Sequence, residues 1–300
     1  MNKDTYKIFH SSKEYTVWPL DEEKFLDILY GSKDEHNETK VIYEELDNSV
    51  IGFISVKYKE VNKEKRGVIV FLFVEERYRG RGIGKKLLTA GVNWLKGNAV
   101  KEIKCGANAG SYFWPGIPEN LNVANFFLKN GFQTTNDVVV DMFQDVIDFV
   151  APSNVYLPLK ENAVTIEYAD GEHASKISDF VRNNFPDWAN YYQESRIKEH
   201  LKNFFFAHKD NEIIGVSTLW IGNSNWDMLF ENSVGGGGAL GVSEKWRGKG
   251  IGLAMKCWGT EKIKGSGVKY VWIGWTSSIG FYEKLGFKIW RKFIDAKLIL

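Results

Sequence analysis

Residues 77–88 read RYRGRGIGKKLL and residues 245–256 read KWRGKGIGLAMK, so one Arg-Gly-x-Gly-Ile-Gly run is written twice in the chain. The offset of 168 that joins Arg79 to Arg247 also joins Val74 to Val242, Glu76 to Glu244, Gly97 to Gly265, Lys101 to Lys269 and Gly106 to Gly274. Upstream, EELDNSVIGFISV (44–56) lies against AHKDNEIIGVSTL (207–219) at an offset of 163; downstream, NFFLKNGF (125–132) lies against GFYEKLGF (280–287) at 155. An ordered match of this length is a tandem duplication with diverged loops, and it constrains the chain to two similar domains. The first copy is 13 residues longer ahead of its Gly-Phe pair, and the extra length holds GSYFWPGIPENLN, residues 110–122. The seam is expected in APSNVYLPLKEN, residues 151–162, where two of the six prolines interrupt periodicity. That places one domain over 1–150, a linker over 151–162 and a second domain over 163–300.

Composition narrows the function classes. Apolar residues make up 44% and charged residues 26% of the 300, as in an ordinary soluble globular chain. The 39 basic and 38 acidic residues nearly cancel, which gives no electrostatic footprint for nonspecific nucleic-acid binding and leaves room only for a local basic patch. The longest apolar run, VIVFLFV at 68–74, falls far short of the roughly 20 residues of a membrane span. The first residues carry no apolar signal segment. Cys105 and Cys257 form neither a metal-ligand spacing nor a disulfide framework, which fits a reducing compartment. The expectation is a cytoplasmic protein with no metal site and no nucleic-acid or membrane partner. Its 11 Trp, 13 Tyr and 20 Phe are read as cores and apolar clefts, because no basic stripe interleaves them.

Each copy alternates strands and helices, the pattern of a mixed α/β fold. KVIYEEL and VIGFISVKYKE read as a hairpin turning at Asp47 and Asn48. GVIVFLFV is a continuous apolar run, as in a strand buried on both faces. IGKKLLTAGVNWLK sets Ile83, Leu87, Ala90, Trp94 and Leu95 on one helical face. The glycine run therefore sits between a buried strand and a helix start. Backbone N–H groups converge there at the positive end of the helix dipole, and glycines admit positive φ and a close ligand. Such a loop is an anion cradle suited to phosphate. The Walker pattern GxxxxGK[ST] fails, since three residues separate Gly80 from Gly84 and Lys86 follows Lys85. The dinucleotide pattern GxGxxG fails as well, with Leu87 at the last glycine position.

In this order of elements, the sequence closely resembles the GCN5-related N-acetyltransferase superfamily, twice in tandem, over roughly 41–145 and 204–298. Both copies carry its [RQ]xxGx[GA] signature, at Arg79-Gly82-Gly84 and Arg247-Gly250-Gly252. The resemblance implies two tandem acyl-CoA N-acyltransferase domains and acetyl-CoA as cosubstrate. It implies that Arg79, Gly80, Arg81, Gly82, Ile83 and Gly84, and likewise Arg247, Gly248, Lys249, Gly250, Ile251 and Gly252, wrap the pyrophosphate with backbone amides. The strand ends at Phe73–Val74 and Gly241–Val242 would pair with the pantetheine arm. The strand of VIVFLFV would splay from that of EIKCG, with the thioester in the gap. The implied reaction moves an acetyl group to a primary amine of a small molecule or peptide.

Acyl transfer to an amine needs a neutral amine, a donor for the oxyanion and a proton for the departing thiolate. The family commonly supplies that proton from a Tyr on the short helix before the Gly-Phe turn. The second copy has Tyr282 there and the first has Phe127. Tyr282 is accordingly the expected general acid, weighed against plain packing among Phe281, Leu285 and Phe287. The second copy is then the expected transferase, and the first a scaffold, regulatory site or degenerate binder. The converse stays open, since the first loop is the more basic and 110–122 could shape a pocket. No general base stands out: Val68 and Gly236 occupy the position where the family often has Glu, and Asp187, Asp227 and Glu231 are distant candidates. Gly235–Gly238 leave room for a substrate or form a flexible loop. His173, His200 and His208 are read as solvated or structural. The acceptor is expected over 20–40 and 185–200, although FPDWANYYQESRI is preferred as an amphipathic helix face. The competing function is a non-catalytic acyl-CoA-responsive binding protein. A fused pair also lets the chain work as a monomeric pseudo-dimer, with a homodimer as the alternative.

Overall fold

The computed structural model of the chain describes residues 2–31, 37–61, 64–106 and 114–300. They form two compact units, one of Met1–Val140 with Trp290–Leu300 and one of Asp141–Ile289.

The first unit opens with α1 (Asp4–His10), α2 (Lys13–Val17) and α3 (Glu22–Tyr30), then the strands β1 (Asn37–Leu46), β2 (Ser49–Val61) and β3 (Glu64–Val74). After them come α4 (Ile83–Gly97), β4 (Glu102–Cys105), β5 (Ile117–Pro118), α5 (Ala124–Lys129) and the start of β6 (Gln133–Asp145). Strands β1 to β3 are antiparallel neighbours, and β4 runs parallel to β3. Asp47 and Asn48 take φ of 50° and 61°, the double left-handed turn that joins twisted strands in a two-residue hairpin. As its unbroken apolar run requires, β3 is buried on both faces from Gly67 to Phe71. Helix α4 covers one face with Leu87, Leu88, Gly91 and Leu95, while Ala90 and Trp94 lie only half-buried at the margin of that stripe. Gly91 is needed there, because a Cβ would stand 2.8 Å from Val56. On the other face Phe9 and Phe25 stack at 5.1 Å and meet Phe71 edge-on.

The second unit holds α6 (Leu157–Glu161), β7 (Thr165–Tyr168), α7 (Ala174–Asn184), α8 (Glu194–Glu199), β8 (Phe204–Lys209), β9 (Glu212–Trp220) and α9 (Asp227–Phe230). It continues with β10 (Val234–Val242), α10 (Ile251–Gly265), β11 (Tyr270–Thr276), α11 (Ile279–Glu283) and the start of β12 (Lys288–Ile299). The pattern of the first unit returns: β7 to β10 pair antiparallel, and β11 runs parallel to β10. Its hairpin turns on Asp210 and Asn211, again at positive φ.

The expected boundary needs correction at both ends. Residues 141–150 go with the second unit: Gln144 Nε2 donates to the Leu285 carbonyl, and Val146 N–H to that of Lys269. The last eleven residues go with the first, where Lys297–Ile299 pair with Glu102–Lys104 and Phe293–Ile294 with β5. Nor is 151–162 a free connector. Val155 is buried, 157–161 is helical, and Tyr156 donates to Glu261 at 2.5 Å. Proline here starts a helix, a position where its missing N–H costs nothing.

Candidate functional site

Both glycine loops have the same backbone. Gly80 and Gly82 take φ of 76° and 82°, Gly248 and Gly250 take 75° and 78°, and the second glycine of each pair caps a helix in the left-handed region. The first-turn amides of α4 and α10 therefore open onto each loop. The signature arginines staple these loops from behind: Arg79 Nε donates to the Val74 carbonyl at 2.8 Å, and Arg247 Nε to Val242 at 3.0 Å. Their guanidinium groups hold the strand end to the loop.

In the first unit β3 and β4 pair from Arg66–Ile69 to Glu102–Cys105, and the last bond of the series runs from Gly106 N–H to the Ile69 carbonyl. Beyond it β3 continues to Val74 with no β4 partner. The gap opens into a cavity of about 480 Å³ that joins the splayed strands to the glycine loop. Phe73, Val74, Arg79, Gly80, Gly82, Ile83 and Gly84 all line it, whereas Arg81 does not; its guanidinium stands 5.4 Å from the Tyr78 ring. A Cβ on Gly80 or Gly82 would meet nothing within 4 Å, so that surface is open. Phe127 lines the apolar wall and packs edge-on to Phe126 and Phe132.

Other lining residues carry no motif, Glu14 and Cys105 among them, while Trp114 comes from the inserted segment read as able to shape a pocket. Glu14, on α2, accepts from Arg79 Nη1 at 2.8 Å across 65 residues of sequence. Burial works to raise its pKa, but the Arg79 hydrogen bond and charge outweigh burial and hold the carboxyl below its ordinary range. Cys105 stands where the strands part, with its thiol pushed up by burial and by the charge of Asp295. Trp114 closes the wall against Phe71 at 5.0 Å. No local pattern marks a single Glu or Cys, so only the fold brings them together. Of the inserted segment, 110–113 lie outside the described residues, while Gly116, Ile117 and Pro118 line the cavity.

The second unit repeats the splay and fills it differently. Strands β10 and β11 pair only over Val234–Gly236 and Tyr270–Trp272. A Cβ on Gly235 would strike Ile263, on Gly236 Trp220 and on Gly237 the Thr218 carbonyl; only at Gly238 is the space free. The glycine run thus admits close packing along most of its length. At Gly241, the position matching Phe73, the Phe185 ring lies 2.5 Å from where a Cβ would stand, and at Gly250 the Pro158 ring lies 2.8 Å away. Lys249 extends over the Trp246 ring at 4.4 Å. Ile251 is buried, and Gly252 faces Val242 and Phe281.

Tyr282 is buried on α11 in edge contacts with Phe281 and Phe287, and burial raises its pKa to about 12. Lys256, at the place of Leu88, brings Nζ to 5.1 Å from the Phe287 ring and 5.8 Å from that of Tyr282. Burial lowers this lysine to about 7, with Cys257 acting weakly the other way. The distant acids lie in the second unit. Asp227 takes the N–H groups of Val234 and Ser224, while Asp187 and Glu231 are exposed. His173, His200 and His208 pair with Asp170, Glu199 and Glu167. The segment FPDWANYYQESRI packs its aromatic residues inward, with Tyr192 fully buried against Phe204. Part of 20–40 lies outside the described residues. Among the described residues, no helix is long and apolar enough to cross a membrane.

The model of the acetyltransferase (GNAT) family matches residues 3–132 and 172–287. No curated protein matches in sequence. Among solved structures, the chain is similar to a fungal multi-domain GH3 beta-N-acetylglucosaminidase described as holding a GCN5-related glucosamine N-acetyltransferase region. The TM-score is 0.90 at 23% identity, over 99% of this chain and 37% of that one. It is similar to a GCN5-related N-acetyltransferase from Sphaerobacter thermophilus, with TM-score 0.67 and 14% identity over 99% and 91%. A tandem GNAT protein of the clavulanic acid biosynthesis pathway gives 0.62 and 13% over 96% and 96%. At these identities the likeness is one of fold.

Proposed function

Because the chain belongs to the acetyltransferase (GNAT) family, we propose that it is an acetyl-CoA-dependent N-acetyltransferase whose acyl-CoA site is the cavity of the first unit. One observation carries the placement: the open glycine loop and the splayed strands share a single cavity. The residues fit the group. The amides at Gly82–Gly84 suit the pyrophosphate, the free edge of Leu72–Val74 suits the amide groups of pantetheine, and Phe126 and Phe127 give the arm an apolar wall.

In the reaction, the neutral amine attacks the thioester carbonyl; a C–N bond forms, the C–S bond breaks, and one amine proton is lost while the thiolate gains one. Phe127 cannot donate that proton. A thiol's ordinary pKa is about 8.5, so its thiolate is a competent leaving group near neutral pH and can be protonated by solvent. This tolerance allows turnover without the tyrosine.

Amino sugars are the acceptors to try first, on the fold likeness to the region described as a glucosamine N-acetyltransferase. Two rival readings start from the family pattern alone. Tyr282 favours the second unit as the transferase, and Phe127, with Val68 in the family's Glu position, favours binding without turnover. Release of CoA thiol with glucosamine and a panel of primary amines tests all three. Turnover lost in Gly82→Val and kept in Tyr282→Phe supports the first unit. The reverse result moves the site to the second, and tight binding with no thiol release leaves a binding protein.

A further inference from the structure

We infer that Tyr192, Phe185 and Pro158 obstruct the second unit's cleft at three positions, so that it takes no acyl-CoA. The inference rests on the proposed acyl-CoA role of the first cavity. Three positions that line that cavity are Phe71, Phe73 and Gly82, and their counterparts in the second unit are Ala239, Gly241 and Gly250. Each counterpart carries a contact from elsewhere in the second unit. The Tyr192 hydroxyl donates to the Ala239 carbonyl at 2.8 Å, at a residue bent to φ 45°. Phe185 seats its ring on Gly241, and Pro158 seats its ring on Gly250.

These contacts are anchored. Tyr192 is fully buried, and Phe185 stacks on Trp188 at 4.8 Å beneath the Arg247 guanidinium. Pro158 starts α6, which is tied to α10 through Tyr156 and Glu261. The exchange at Gly241 shows the logic. In the first unit Arg79 stands 5.5 Å from the ring of Phe73 itself, whereas in the second Arg247 stands 5.9 Å from Phe185. The ring at this position comes from the strand in the first unit and from the segment after α7 in the second, where Gly241 leaves space for it. Helix α10 also lacks the first-turn lysines: Lys85 and Lys86 become Leu253 and Ala254.

Amide hydrogen exchange on the whole chain, with and without acetyl-CoA, tests this. At ligand about 100 times its Kd, amides ordered by binding should exchange up to about 100-fold more slowly. Slowing over 79–86 with no change over 247–254 is the expected result. Slowing over 247–254 in the native chain overturns the inference. No slowing in either loop sinks the proposed function while agreeing with a closed second cleft. A Pro158→Gly, Phe185→Ala double variant should gain slowing over 247–254. If that variant keeps its native circular dichroism and gains none, these contacts are not what excludes the ligand, and the inference falls. A milder Pro158→Gly, Glu261→Gln variant repeats the test without touching the aromatic core.

Discussion

The two glycine loops have the same backbone and differ in what stands beside the second glycine of each pair. Their left-handed glycines agree within a few degrees, and both arginines bond the carbonyl five residues back. Gly82 nevertheless faces open space, while Gly250 faces Pro158. A signature motif therefore reports the local fold it builds, and the neighbours brought in from distant sequence decide whether a ligand can reach it. In the first unit those neighbours are Glu14 and Trp114, in the second Pro158 and Phe185.

The sharpest way to break this comparison is to give each loop the same side chain. Gly82→Val imposes a β-branched residue on a left-handed φ, costing about 1–2 kcal/mol per residue, and intrudes on the cavity. Acetyl-CoA affinity, measured by calorimetry, should fall by about 100-fold or more. Gly250→Val should leave that affinity alone and lower the melting temperature instead, because its Cβ meets Pro158. Equal loss of affinity in both variants would end the asymmetry.

Next in size is the buried lysine. Lys256→Leu gives the second unit the residue that Leu88 supplies to the first. The folded value near 7 lies below the ordinary 10.5, so the unfolded chain holds this proton more tightly. The resulting cost is fully present below about pH 7 and fades as pH rises from there towards 10.5. Lys256→Leu should stabilise the second unit by a few kcal/mol at neutral pH, on the order of 1.36 kcal/mol per pKa unit. It should also flatten the rise in stability between pH 7 and 10, read by exchange of the α10 amides.

A smaller effect is expected at Glu14. Its carboxyl is held low in the folded chain, so the Arg79 pair adds stability above the ordinary carboxylate range, and that stability is lost as pH falls through the folded value. The Arg79 side chain is 38% exposed, which limits the pair to about 1 kcal/mol. Glu14→Gln should then raise the acetyl-CoA KM by about fivefold at most, with kcat little changed. A larger fall in kcat would show that Glu14 acts on the amine as well.

Much of this was legible in the sequence, for a physical reason. Loop, hairpin and buried strand are local: Asp47-Asn48, Arg-Gly-x-Gly-Ile-Gly and VIVFLFV specify their own backbone and burial. Fold and repeat could therefore be read directly. The traffic of 141–150 and 290–300 between units could not, because strand partners are chosen by long-range register and the relevant residues carry no local mark. The same limit hid Glu14, 65 residues from Arg79. It also made FPDWANYYQESRI ambiguous, since one aromatic stripe serves a core or a ligand equally well until its facing strand is known.

The smallest expected effect bears most directly on which unit works. Tyr282 has the family's position, yet burial raises its pKa to about 12, against about 8.5 for an ordinary thiol. A donor so much weaker than the acid it would create gives up its proton uphill by some 3 to 4 pKa units, on the order of 5 kcal/mol. Lys256 Nζ stands 5.8 Å from the ring, and burial lowers its pKa to about 7. The edge contacts of the Tyr282 ring with Phe281 and Phe287 suit a packing residue. Tyr282→Phe should accordingly change CoA thiol release by no more than about twofold and leave its pH profile in place. A fall of about 100-fold or more, the usual worth of a lost general acid, would return the chemistry to the second unit and make the first cavity the binding site that supports it.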